Sequence, residues 1–188
     1  MPLRSTEIIP GLYYHFYNRG VNKEKIFFSP RNYEFFLEKL EYYCKDKAGV
    51  ISYCLMPNHF HLLVKIFTDD FIEESLRPLL VSYSKAVNKE QNRVGPLFQG
   101  RYQVKGIEGD GNIVECSRYI HLNPVKAGLV NSPEEWSYSS FRYYQSPETK
   151  SFVDTSYVLT QFNSQADFSE YTQQAIERCL IEKTGNDL

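Results

Sequence analysis

Two short stretches of this 188-residue chain carry side chains suited to chemistry. In "YCLMPNHFHLLVK", Tyr53 to Lys65, two histidines flank a phenylalanine inside an otherwise apolar run. A strand alternates its faces, so His59, His61, Leu63 and Lys65 point one way and Phe60, Leu62, Val64 and Ile66 the other. The second set is the core face, which leaves two imidazoles about 7 Å apart along the strand on the opposite face. That spacing lets both converge on one metal ion; the plainer alternative is two histidines on a solvated strand face. In "RYIHLNPVKAGLV", Tyr119 and Asn123 stand four apart on a helical segment, which puts a phenol and a carboxamide on one helical face. A cation held by two imidazoles and an amide oxygen keeps open positions for phosphate oxygens or water. A phenol with its ordinary pKa near 10 is a poor nucleophile until its proton is removed or its target polarised, and a cation bound to the phosphate does the second (about 10 for free tyrosine). The combination points to attack of Tyr119 on a phosphodiester through a covalent protein–phosphate intermediate that preserves the bond energy for rejoining. The reaction class is strand cleavage and transfer.

The elements that must position these groups read off in order. "GLYYHFYNRG" alternates over Leu12 to Asn18 as a first strand, with Gly20 and Asn22 marking the turn after it. Ser29 as N-cap, Pro30 at the first helical position and apolar Tyr33, Phe36, Leu37, Leu40, Tyr43 and Cys44 predict an amphipathic helix. "VISYCLM" and "HFHLLVKI", separated by Pro57-Asn58, predict an antiparallel hairpin. A second helix falls within "SLRPLLVSYSKAVNKEQN", where Pro78 fits the first turn or a kink. "GRYQVKGI" reads as a fourth strand and "DGNIVECSRYIHLN" as a third helix, with Asp110 as N-cap and Pro124 closing it. Strand, helix, strand, strand, helix, strand is the order of a ferredoxin-like α+β sandwich, an antiparallel sheet with helices on one face. Residues 1–132 form that domain, and 133–188 are a C-terminal appendage ending in a helix within "SQADFSEYTQQAIERCLIEK".

Composition narrows the class. At 42% hydrophobic residues the chain can bury one good core, which favours one domain with an appendage. No apolar run approaches bilayer-spanning length and the N-terminus lacks a signal segment, so the expectation is a cytoplasmic protein with no membrane partner. Cys44, Cys54, Cys116 and Cys179 show no CxxC pairing and read as buried free thiols. The net charge of -2 hides an asymmetry: residues 1–130 hold 17 Lys and Arg against 14 Asp and Glu, whereas 131–188 hold 4 against 9. The basic part is the part with the motifs, and its cations could track a phosphate backbone.

The segments "YHFYNRGVNKEKIFF", "YCLMPNHFHLLVK", "GPLFQGRYQVK", "RYIHLNPVKAGLV" and "WSYSS" together resemble the single-tyrosine HUH transposases, and within them the REP-associated tyrosine transposases. The resemblance covers roughly residues 12 to 145, with five separated motifs in the right order. It implies the ferredoxin-like fold argued above, cutting of single-stranded DNA beside hairpins, and use of Mg²⁺ or Mn²⁺. Residue by residue it implies that His59 and His61 ligate the metal, with Asn123 as third ligand. Tyr119 becomes linked to the DNA 5′-phosphate and leaves a free 3′-OH. Asn123 followed by Pro124 fits the REP-associated branch, since insertion-sequence relatives commonly carry Gln there. Insertion-sequence relatives work as dimers; for this chain a monomer is favoured, with a homodimer as the alternative.

Among the remaining candidates, Arg101 and Lys105 share strand parity and could hold a DNA phosphate, as could Arg118 beside the nucleophile, Lys85 and Lys126. His15 reads as structural or as lining the cleft, and His121, turned away from the Tyr119 face, as exposed. Trp136 reads as a packing anchor for the appendage. Two rivals stand beside strand transfer: a non-catalytic single-stranded nucleic-acid-binding module on the same sheet architecture, and a metal-dependent phosphodiesterase that uses water.

Overall fold

Four β-rich runs form strands: β1 (Tyr13–Arg19), β2 (Ala48–Met56), β3 (His59–Ile66) and β4 (Gln103–Ile107). The computed structural model describes residues 7–149 and 151–185. It joins these strands in one antiparallel sheet of order β2-β3-β1-β4. With the crossover helices α1 (Pro30–Cys44) and α2 (Arg77–Glu90), this is the ferredoxin-like α+β arrangement. Among the described residues no helix is long and apolar enough to cross a membrane.

The helix signals have local physical causes. Ser29 caps α1 with Pro30 at its start, and the Asn32 side chain folds back so that its Oδ1 accepts the backbone N–H groups of Phe28 (2.9 Å) and Ser29 (3.3 Å). Pro78 sits in the first turn of α2, directly after a π-helical turn over Ile72–Leu76. A proline supplies no N–H and its ring presses on the carbonyl four residues back, and the widened turn lies where that conflict would fall.

The two sheet faces have different cover. On one, Phe60 meets Phe36 of α1 at a ring separation of 5.3 Å, Phe36 meets Tyr83 of α2 at 5.0 Å, and the Tyr83 hydroxyl donates to the Ile26 carbonyl at 2.6 Å. The other face, the one His59 and His61 share, is crossed by α3 (Asp110–Lys126), which lies against β2, β3 and β4. α3 differs from expectation at both ends. Its N-cap is Gly109, at φ 82°, while the Asp110 carboxylate accepts the Tyr157 hydroxyl at 2.6 Å. It also continues through Pro124 to Lys126 and ends in a Schellman arrangement: Gly128 at φ 71°, Leu129 N–H to Pro124 carbonyl at 3.0 Å, Gly128 N–H to Val125 carbonyl at 3.0 Å. The stop signal is therefore the glycine and not the proline.

Residues after 132 enter the main core. Phe141 and Tyr144 of α4 (Phe141–Gln145), Val153, Val158 of α5 (Ser156–Leu159) and Phe168 of α6 (Gln165–Gly185) belong to the same buried cluster as the sheet. The same segment covers the outer edge of β2: Leu55 N–H donates to Tyr138 carbonyl (2.9 Å), Ser140 N–H to Tyr53 carbonyl (3.0 Å) and Asp154 N–H to Val50 carbonyl (2.8 Å). Trp136 donates its indole N–H to the Leu55 carbonyl at 3.0 Å. An open edge would otherwise invite strand addition.

Buried polar bonds tie α3 to this segment and the sheet. Ser117 of α3 pairs with Ser52 of β2 at 2.6 Å, and Ser52 pairs with the Tyr144 hydroxyl at 3.1 Å, which itself donates to the Ile51 carbonyl at 2.8 Å. His121, expected to be exposed, is 2% exposed, with Nε2 2.8 Å from the Ser140 hydroxyl. The C-terminal segment covers this side of α3 with Ser140, Phe141 and Tyr144. Cys44, Cys54 and Cys179 are buried free thiols; Cys116 is half-buried. Replacing Tyr144→Phe removes one hydroxyl from a closed network and leaves Ser52 and the Ile51 carbonyl short of a partner. Urea unfolding is expected to show a loss of about 1–3 kcal/mol with an unchanged m-value.

Candidate active site

Strand pairing lays out the polar face in rows. Cys54, His61, Tyr17 and Gln103 lie side by side across β2, β3, β1 and β4; Ser52, Leu63, His15 and Lys105 form the next row; Met56, His59 and Arg19 the row before. His15 thus sits diagonally from His61, within side-chain reach. Its Nε2 lies 2.9 Å from His61 Nδ1. His59 Nδ1 lies 2.7 Å from Asn58 Oδ1, and Asn58 uses its Nδ2 to donate to the Lys23 carbonyl at 3.1 Å. That second bond orients the amide, so the proton on His59 is at Nδ1 and the Nε2 lone pair is free. On His61 it is likewise Nδ1 that is engaged, here by His15. The hairpin turn bearing His59 is itself fastened, because Gly20 N–H donates to the Asn58 carbonyl (2.8 Å) and Ile26 N–H to the Pro57 carbonyl (2.8 Å). A Cβ on Gly20 would fall 2.1 Å from the Glu24 carbonyl oxygen, so only glycine fits that anchor.

Burial keeps these rings neutral. His61 is lowered to about 3 by burial, reinforced by repulsion from His15 and His59. His15 is lowered to about 4 by burial and the nearby Lys105. His59 is lowered by burial, which the nearby Asn123 side chain opposes. Neutral imidazoles with Nδ1 engaged and Nε2 free are what metal coordination requires.

α3 brings the other groups over this face. Tyr119 is 42% exposed, its ring 5.7 Å from His61 and 6.2 Å from His15, edge-on to both. The Lys126 ammonium, two turns on, lies 5.0 Å from the Tyr119 ring centre. Asn123 donates its amide Nδ2 to the Tyr119 carbonyl at 2.8 Å and approaches the Ile120 carbonyl at 3.5 Å. Pro124 has no N–H for the Ile120 carbonyl, and the Asn123 amide covers this gap, leaving Oδ1 as the available acceptor. His59, His61, Tyr119 and Asn123 line one cleft of about 560 Å³, together with Arg19 and Lys23. The described residues hold no cluster of three His, Cys, Asp or Glu, so any cation here would rest on two imidazoles and an amide oxygen. This donor set fits a divalent cation with room for phosphate oxygens.

The other cations expected to face DNA divide. Lys105 lies on β4 opposite His15, at the same face as the site. Arg101 precedes β4, is exposed, and does not line this cleft. Lys85 is on α2, across the sheet, and so lies away from this cleft. Arg118 is paired with Glu115 and packed 4.4 Å from the Tyr171 ring of α6, so it serves the α3–α6 contact. Sequence reasoning missed His15 as a partner of His61, as well as Asn58, Arg19 and Lys23. The parity of β1 would have placed His15 and Arg19 on the histidine face once β1 was set beside β3.

A tyrosine on a helix, facing a His-x-His pair on the central strand of a ferredoxin-like sheet, defines the single-tyrosine class of HUH proteins. Residues 9–123 match the family model "Transposase IS200 like", and the chain belongs to that family. A Haemophilus influenzae protein named as a REP-associated tyrosine transposase is 28% identical over 101 residues, 48% of this chain and 57% of that protein. The chain thus aligns with little more than half the length of this relative. A solved structure of a REP-associated tyrosine transposase bound to a REP hairpin matches with a TM-score of 0.63 and 16% identity, over 83% of this chain and 94% of the other. That likeness is one of fold.

The His15–His61 bond predicts that His15→Ala weakens Mn²⁺ binding by about 10- to 100-fold in calorimetric titration. The circular dichroism spectrum should not change, and equal Mn²⁺ affinity would remove His15 from any orienting role.

Proposed function

We propose that this chain cleaves and rejoins single-stranded DNA beside a hairpin, through a covalent 5′-phosphotyrosine at Tyr119. One observation carries the reading: an exposed phenol on α3 shares a cleft with two neutral imidazoles, one of them with its ring 5.7 Å away, and with the Asn123 amide. The family is one of transposases, and the solved neighbour is bound to a REP hairpin, which supports a DNA hairpin as partner.

Residues 1–132 carry the reaction and 133–188 brace α3. His59, His61 and Asn123 would hold Mg²⁺ or Mn²⁺, which when bound would supply charge neutralisation at the scissile phosphate. Tyr119 Oη forms the new bond to phosphorus as the bond to the 3′-oxygen breaks. The phenolic proton passes to water, and the 3′-oxygen takes up a proton to leave as a free 3′-OH. Attack by a DNA 3′-OH on the phosphotyrosine reverses this and regenerates the phenol. Lys126, beside the Tyr119 ring, and Arg19 and Lys23, at the cleft wall, offset phosphate charge.

The test is a pool of single-stranded hairpin oligonucleotides, labelled on the 5′ or the 3′ side, incubated with the chain and Mn²⁺ and run on a denaturing gel. The expected product is a protein-shifted band retaining only the 3′-side label, absent with Tyr119→Phe although binding persists. His61→Ala is expected to abolish metal-dependent cleavage. Cleaved DNA without an adduct would indicate attack by water, and binding without cleavage would indicate a binding module.

A further inference from the structure

A second groove opens on the other side of Tyr119, between β4 and the first half of α3, with a volume of about 620 Å³. It shares Tyr17, His61 and Tyr119 with the cleft described above, so the two adjoin at the phenol. Tyr17 stands where they meet. Its ring is flanked by His15 at 5.0 Å and His61 at 5.8 Å, and the residue is 37% exposed. It takes no part in either hydrophobic cluster of the described residues. The apolar core therefore gives no reason for a large aromatic at this position.

We propose that this groove is a nucleotide subsite, in which the base adjoining the scissile phosphate stacks on Tyr17. The proposal rests on the strand-transfer reading above and extends it to the flanking nucleotide. A DNA strand whose phosphate lies at Tyr119 must place its neighbouring nucleotides on either side, and the second groove has the volume of a small-ligand site. Base stacking on an exposed aromatic is the common solution for holding single strands, because every base has a flat π-face. Lys105 lines the groove as an exposed cation for the next phosphate. Asn112, at the α3 wall, donates Nδ2 to the Glu108 carbonyl at 2.7 Å, which leaves its Oδ1 as an acceptor for an exocyclic amine of the base.

The experiment uses the full chain and single-stranded hairpin oligonucleotides of random sequence that carry 5-iododeoxyuridine. Irradiation followed by digestion and mass spectrometry is expected to find the cross-link on Tyr17. Tyr17→Leu should lose the cross-link and weaken oligonucleotide binding, read by fluorescence anisotropy, by about 5- to 100-fold, while Tyr17→Phe retains both. Cross-links confined to other residues, or a Tyr17→Leu variant that binds as tightly as the parent, would overturn the subsite. The Tyr119 adduct is scored in the same samples. An adduct with Tyr17→Leu binding unchanged sinks the subsite alone, whereas a Tyr17 cross-link without any adduct sinks strand transfer and leaves the base site standing.

Discussion

The register of β3 between β1 and β2 is the constraint on which the rest of the structure depends. Phe60, Leu62, Val64 and Ile66 are all at most 1% exposed, and each contributes about 1.5–3 kcal/mol by burial. A slip of one residue would exchange that apolar set for two histidines and a lysine. Core packing on one face therefore fixes the position of His59 and His61 on the other. The pairing on both sides adds what parity alone lacks: β1 sets His15 against His61, and the tight β2–β3 turn lets Asn58 reach His59.

The placement of Tyr119 depends on a second layer. α3 crosses the less apolar face of the sheet, held there by Ile113, Val114 and Ile120 in the main core and by buried polar bonds, some of them to the far end of the chain. Ser117 meets Ser52 and, through it, Tyr144; His121 meets Ser140; Leu122 and Val125 pack with Ala175, Ile176 and Cys179 of α6. Buried polar groups that lose a partner cost more than they contribute when paired, so this network resists partial opening. Tyr119 projects from the side of α3 that the C-terminal segment leaves uncovered.

The polar groups of the cleft show the same economy of fixed orientation. Each site imidazole has one nitrogen engaged and the other available, and Asn123 spends its donors on helix carbonyls, one of them left without a partner by Pro124. A proline that would ordinarily weaken a helix here makes room for an amide to be held in one orientation. Such pre-positioning is how a site limits the reorganisation that a reaction would otherwise require.

What the sequence determined by itself is what repeats within a few residues. The parity of His59 and His61, the shared face of Tyr119 and Asn123, the Ser29–Pro30 start of α1 and the strand–helix order all follow from periods of 2 and 3.6, which are properties of neighbouring bonds. The same locality explains the failures. Asp110 and Pro124 are ordinary helix signals, yet Asp110 turns to Tyr157 and α3 runs on to the Gly128 stop. His121 reads as exposed until Ser140 and α4 arrive from a distant part of the chain, and Arg118 reads as free until Glu115 and Tyr171 engage it. Lys85 has the right charge but lies across the sheet from the site. Only the tertiary structure decided which side chains share a cleft, because burial, pairing and orientation depend on partners that sequence distance does not reveal.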